Sequence, residues 1–248
     1  MFTGLVSISF RQLSPEEILQ WMVKANLRHI EWGSDVHAPC GDLQAVREVA
    51  RLQQQYGVTC CAYGTYFRLG VTPPEELPAY FAAAKILGTD ILRIWCGKKG
   101  SAEFTDSERE QLFAAGKEAA AMAEAAGVRL CTECHPHTQT DTAEGALAFL
   151  QAVNSPAMGT YWQPNQYRSA AENVAYAKAL APYTTNIHVF HWQGKERFPL
   201  LQAKSDWTDY LSAFDGDHGC LLEFMPDDTP QSLPTEADAL RQILKEGT

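Results

Sequence analysis

Glu133 in RLCTECHPH (129–137) and Glu223 in LLEFMPDD (221–228) each set a carboxylate inside an apolar, strand-like run. His188, in NIHVFHW (186–192), adds an imidazole to a third such run. A carboxylate taken out of water is costly unless it is paired or binds a cation. For either glutamate alone, an ion pair with a nearby Arg or Lys would explain the burial. For all three residues together, a shared divalent ion is the simpler account. Carboxylate oxygen and imidazole nitrogen, with no thiolate, suit Mn2+, Mg2+, Co2+ or Zn2+ in a catalytic rather than a structural site.

That account requires elements that bring distant segments together. Eight short apolar runs read as buried strands: 5–10, 28–32, 58–63, 91–95, 128–134, 158–162, 186–190 and 220–224. Between them lie helical segments at 14–26, 42–56, 72–88, 105–127, 140–153, about 169–182, 206–214 and 233–246. Ser14, Pro15 and Glu17 give the first of these an N-cap, a first-turn proline and a capping box, and Gly88 and Gly127 close two others. Eight alternating strands and helices in 248 residues predict a single-domain (β/α)8 TIM barrel over 1–248. A doubly wound open sheet is the alternative, disfavoured because no G-x-G-x-x-G follows the first strand. A barrel carries its active site where its strands end. Here those ends hold Glu31 with Trp32, Tyr63, Trp95, Glu133 with His135, Trp162 with Gln163, His188 with His191, and Glu223.

Glu133 within LCTECHPHTQTDT, TYWQPNQ (160–166), NIHVFHW and LLEF (221–224), in this order and placement, resemble the xylose-isomerase-like TIM barrels. That superfamily includes sugar isomerases and epimerases, inosose dehydratases and endonuclease IV. Its members hold one divalent ion with Glu, Asp, His and Glu from strands five to eight, and in the epimerases the two Glu also act as acid and base. The resemblance puts Glu133, His188 and Glu223 on the first, third and fourth ligand positions and implies Glu133 and Glu223 as the catalytic pair. The second position departs from the pattern, with Gln163 for the usual Asp and Gln166 for a nearby His. Gln163 is then a neutral oxygen ligand that leaves the ion less tightly held and more Lewis-acidic, or a contact for substrate hydroxyls, or the mark of a lost metal site. Arg197 resembles an Arg that follows the family's His motif and helps hold metal-bound water or substrate; a surface Arg is the plain alternative.

The resemblance implies proton transfer beside a carbonyl of a sugar or polyol through an enediolate, and the sequence points to an unphosphorylated one. No Gly-rich phosphate loop appears, and GKKGS (97–101) reads as a solvated lysine loop. Glu31, Trp95, His135 and His191 are the further candidates for substrate contact, with structural roles as their alternatives. Trp32, Trp95, Trp162 and Trp192 fall at strand ends, where flat rings could pack on sugar C–H faces or simply fill the barrel rim. His37 lies in a loop, and His218 is expected in a turn before the last strand. A dehydratase and a non-catalytic sugar-binding barrel remain the competing readings.

A net charge of −10 with scattered Lys and Arg argues against nucleic acid as a partner, and only seven His together with that negative charge argue against a multi-metal nuclease, which needs many His and a cationic groove. The N-terminal segment does not read as a signal peptide, and no apolar run reaches the roughly 20 residues that span a bilayer, so a cytoplasmic protein is expected. Seven Cys read as reduced thiols, with Cys131 and Cys134 on opposite strand faces and unable to share a metal. Family members pair into dimers or tetramers, but the sequence shows no interface signature of its own.

Overall fold

The computed structural model describes residues 1–246. Eight parallel strands close a barrel: β1 (Phe2–Val6), β2 (His29–Gly33), β3 (Thr59–Leu69), β4 (Ile91–Cys96), β5 (Arg129–Glu133), β6 (Met158–Trp162), β7 (Thr184–Val189) and β10 (Gly219–Leu222), the last pairing with β1. A two-stranded antiparallel hairpin, β8 (Trp192–Gln193) and β9 (Glu196–Arg197), follows the seventh barrel strand. The helices are α1 (Pro15–Lys24), α2 (Leu43–Gln55), α3 (Leu77–Leu87), α4 (Asp106–Ala126), α5 (Ala143–Val153), α6 (Ala170–Leu180), α7 (Lys204–Leu211) and α8 (Leu233–Glu246). The open sheet is thereby excluded. Among the described residues no helix is long and apolar enough to cross a membrane.

The start signal at Ser14 acts as expected. Ser14 Oγ accepts from the Glu17 N–H while the Glu17 carboxylate accepts from the Ser14 N–H, and Thr105–Glu108 and Ser169–Glu172 repeat the arrangement. Gly88 and Gly127 end α3 and α4 at φ 83° and 69°, a backbone that favours glycine.

Among the barrel strands, two differ from expectation by more than two residues at an end, and the helices expected at 72–88, 140–153 and 206–214 run instead over Leu77–Leu87, Ala143–Val153 and Lys204–Leu211. The first strand is 2–6 rather than 5–10, because Ser7–Phe10 turns into a 3₁₀ helix. Side chains take over the pairing there: Ser7 Oγ accepts from the Gly33 N–H and Ser9 Oγ from the Phe224 N–H. The third strand runs on to Leu69, past a register shift between Gly64 and Arg68.

Strand alternation sorts the side chains into two cores. Ile30, Trp32, Leu92, Ile94, Trp162 and Ile187 point outward under the helices in the larger one. Val6, Ala62, Cys131, Tyr161 and Leu221 fill the barrel interior. Cys131 thus lies inside and Cys134 in the outer layer, on opposite faces as their odd spacing requires.

Candidate functional site

The inward parity that places Cys131, Tyr161 and Leu221 inside the barrel continues upward to Glu133, Gln163 and Glu223 two residues on. These three meet at His188, which is fully buried on β7. His188 Nδ1 stands 3.2 Å from Gln163 Oε1, 3.4 Å from Glu223 Oε2 and 3.7 Å from Glu133 Oε1. Its other nitrogen, Nε2, faces Glu31 Oε2 at 3.4 Å. With Nε2–H donated to Glu31, the Nδ1 lone pair confronts three acceptor oxygens and no donor.

Such a set of four atoms suits a cation at Nδ1, whether a proton or a metal ion. Ligands 2.0–2.2 Å from an ion stand about 3.0 Å apart in octahedral and about 3.4 Å apart in tetrahedral geometry, so the 3.2 and 3.4 Å spacings at Nδ1 are compatible with a shared dication and the 3.7 Å one is wider. One ligand atom each from Glu133, His188 and Glu223 lies within 4.8 Å of the others. The residues fit a hard divalent ion, and Glu31 orients the imidazole from behind.

Arg93, on β4, completes the buried cluster and was not singled out from the sequence. Its Nε donates to Glu31 Oε1 at 2.8 Å and its Nη1 to Glu133 Oε2 at 2.6 Å. Arg93 and Glu31 are 1% and 0% exposed, so neither charge is shared with solvent. The neutralising cation proposed for an isolated buried glutamate is therefore present as well. The signal was in ILRIW (91–95): an arginine inside an apolar strand is as costly as a glutamate there, and it shares the inward face of Trp95.

The electrostatics follow from this packing. Burial alone would push the Glu133 carboxyl up, but the Arg93 guanidinium and His188 outweigh it and hold it at about 2. Burial likewise opposes ionisation of Glu31, and Arg93 and His188 again bring it below the usual carboxylate range. For His188, burial disfavours the cation, but Glu223 and Glu31 overcome it and raise the imidazole well above its ordinary value.

Above the cluster opens a cavity of about 430 Å³. Glu133, Gln163, Glu223 and Arg93 form its floor, and Trp95, Trp192, Phe190 and Phe224 its walls. His135 lies against Trp95, ring centroids 4.5 Å apart, and its Nδ1 pairs with the Pro136 carbonyl at 2.8 Å, leaving Nε2 for a ligand. Phe224 and His137, both at the cavity, hold φ of 57° and 62°, a left-handed backbone that side chains disfavour. Arg11, Tyr66 and Tyr167 reach it from the rim, and sequence patterning marked none of them because they lie in loops or beyond the expected strand end.

Other candidates fall elsewhere. Glu31 is not at the cavity surface, since Arg93 and His188 take its two oxygens. His191 lines a separate, smaller pocket of about 190 Å³ and bonds the Pro199 carbonyl. Arg197 sits behind the wall, stacked 4.8 Å from Trp192 and 4.9 Å from Phe224 and paired with Asp228. Trp32 and Trp162 point outward, and Trp162 packs on Trp207, Tyr210 and Phe214. His37 is buried between Ser7 Oγ and the Leu13 carbonyl, and His218 bonds the Thr185 and Asp215 carbonyls before β10.

A family model described as xylose isomerase-like TIM barrel matches residues 19–243. The chain belongs to that family. Among solved structures, this xylose isomerase-like barrel is similar to the probable 3-DHS dehydratase AsbF involved in petrobactin synthesis from Bacillus anthracis, at 18% identity and TM-score 0.82 over 97% of this chain and 99% of that one. It is similar to a xylose isomerase domain protein from Alicyclobacillus acidocaldarius, at 15% identity and TM-score 0.78 over 99% of both chains. It is also similar to a D-psicose 3-epimerase determined in the presence of D-fructose, at 12% identity and TM-score 0.73 over 98% of both. Likeness at such identities speaks for the fold. No curated protein matches the xylose isomerase-like chain significantly.

Proposed function

We propose that the protein is a divalent-metal-dependent sugar isomerase or epimerase that moves a proton beside a carbonyl of a small unphosphorylated sugar or polyol. The observation that carries this reading is the convergence of Gln163, Glu133 and Glu223 oxygens on His188 Nδ1 at 3.2–3.7 Å. Glu133, Gln163, His188 and Glu223 would hold the ion. When bound, the ion supplies Lewis acidity that stabilises negative charge developing on a carbonyl oxygen.

The chain's own groups do the rest. Glu133 from β5 and Glu223 after β10 reach the cavity floor from different strands, so a substrate carbon above them meets two carboxylates from separate directions. One removes the proton and the other returns it. Nε2 of His135 is free to hold a substrate hydroxyl or relay a proton. Trp95, Trp192, Phe190 and Phe224 offer flat faces to C–H groups and keep water from the reacting carbon. The similarity of neighbouring folds to epimerases supports the class without fixing the substrate.

A dehydratase is the second reading, favoured by one contact. Arg93 holds Glu133 through a 2.6 Å ion pair, and the guanidinium outweighs burial to bring its carboxyl below the usual carboxylate range, which lowers its basicity. A reaction needing one carboxylate base and an imidazole acid to release a hydroxyl as water would use Glu223 and His135 instead. The AsbF-like fold accommodates this reading.

The test begins with elemental analysis of protein purified without chelator. Mn2+-loaded protein is then incubated in D2O with ketoses, inososes and 3-DHS. Deuterium entering a sugar without loss of water supports the isomerase or epimerase, and loss of water supports the dehydratase. A protein that takes up no divalent ion and exchanges no proton overturns both.

A further inference from the structure

We propose that Arg93 is the site's resident counter-ion: it offsets the buried carboxylates before any metal arrives and sets how tightly that metal is held. The inference rests on the metal reading above and concerns a residue outside the family's ligand pattern.

Arg93 divides each of two carboxylates. Glu31 gives Oε1 to Arg93 Nε and Oε2 to His188 Nε2; Glu133 gives Oε2 to Arg93 Nη1 and turns Oε1 toward His188 Nδ1. The result is a closed ring of Arg93, Glu31, His188 and Glu133. Glu31 and Arg93 come from β2 and β4, and the strand between them lacks a side chain where they cross. That position is Gly64, where a Cβ would lie 2.4 Å from Glu31 Oε1 and 2.8 Å from Arg93 Nη2. The gap in β3 makes the pair possible.

Charge then decides the consequence. Glu31, Glu133 and Glu223 carry three negative charges, and Arg93 with a dication carries three positive, so the metal-loaded cluster is neutral when His188 is neutral. An aspartate in place of Gln163 would leave it one charge negative; with Gln163 the balance closes. Without the ion, Arg93 still offsets one of the three buried carboxylates and lets the barrel close. With the ion, the same guanidinium repels it across a poorly screened interior and keeps it exchangeable.

Titration of metal-free protein with Mn2+ alone, by calorimetry and by thermal melting, tests the assignment on wild type, R93Q, E31Q and R93Q/E31Q. R93Q removes a positive charge and is expected to bind Mn2+ roughly tenfold or more tightly than wild type, with a larger Mn2+-induced rise in Tm. E31Q removes a negative charge and binds more weakly. The double variant restores neutrality and returns close to wild-type affinity. A residue that only braces the fold would lower affinity in R93Q, or leave it unchanged. If R93Q does not fold without metal, the ordering of wild type, E31Q and the double variant decides. Wild-type uptake with R93Q affinity equal to or below wild type, or a double variant no tighter than E31Q, overturns the counter-ion role alone. Wild-type protein that takes up no Mn2+ removes the metal reading and this inference with it.

Discussion

His188 and Glu31, 157 residues apart in sequence, face each other at 3.4 Å inside the barrel, both fully buried. Glu31 thereby fixes which imidazole nitrogen is presented to the cavity floor, although it never reaches the cavity. A role of this kind shows in metal affinity and its pH dependence more than in substrate contacts.

Metal uptake should release about one proton per ion. The metal-free His188 is raised well above 6.5 in the folded protein, because Glu223 and Glu31 outweigh the effect of its burial. Its contribution to metal-free stability is therefore fully present below the unfolded value and lost as pH rises through the raised one. An incoming ion must displace that proton, so Mn2+ affinity should strengthen by up to about tenfold per pH unit between about pH 6 and pH 8. Calorimetry in buffers of different ionisation enthalpy measures the released proton, and affinity that stays flat with pH would count against the assignment.

Gln163→Asp should tighten Mn2+ binding by about tenfold, since a charged oxygen replaces a neutral one 3.2 Å from His188 Nδ1. Metal-free Q163D should melt below wild type, because one more buried carboxylate lacks a partner. Equal affinities in the two proteins would mean that Gln163 does not reach the ion.

Gly64→Ala should cost about 1–3 kcal/mol of stability and weaken the Arg93–Glu31 pair, because the added methyl has no room among those charged atoms. Gly41→Ala, with nothing within 4 Å of its Cβ, should stay within about 0.5 kcal/mol of wild type. Urea denaturation of the two variants checks both values.

Trp95→Ala and Trp162→Ala should separate cleanly. Trp162 is fully buried against Trp207, Tyr210 and Phe214 outside the strands, and its loss should cost about 3–5 kcal/mol. Trp95 walls the cavity, so W95A should change ligand affinity more than the denaturation midpoint. A ligand affinity unaltered in W95A would remove Trp95 from the binding surface.

Much of the barrel could be read from the chain because strand burial and helix capping are local properties. Ser14 with Glu17 and Gly88 act within one turn, and they behave as their spacing requires. The ligand candidates were legible for a related reason: a glutamate or histidine in an apolar strand conflicts with its surroundings, and that conflict marks Glu133, His188 and Glu223. Arg93 carries the same mark, but its partners Glu31 and Glu133 lie on other strands and become visible only once the barrel is assembled. The fate of Trp32, Trp162, His191 and Arg197 depended on strand parity and loop path. Parity turns Trp162 outward one residue before Gln163 turns inward, and the β8–β9 hairpin carries Arg197 behind Trp192. The first strand was misplaced because Ser7 and Ser9 replace backbone pairing with side-chain hydrogen bonds, a switch that alternation of apolar residues does not record.

Phe224 and His137 hold left-handed backbones at the cavity wall, each a few residues at most past a glutamate of the cluster. A glycine at either position would relieve a conformational penalty of about 1–3 kcal/mol while deleting part of the wall. Selection for thermal robustness alone would therefore erode the shape that confines a ligand, and variants chosen only for higher melting temperature should drift toward a wider, less discriminating mouth.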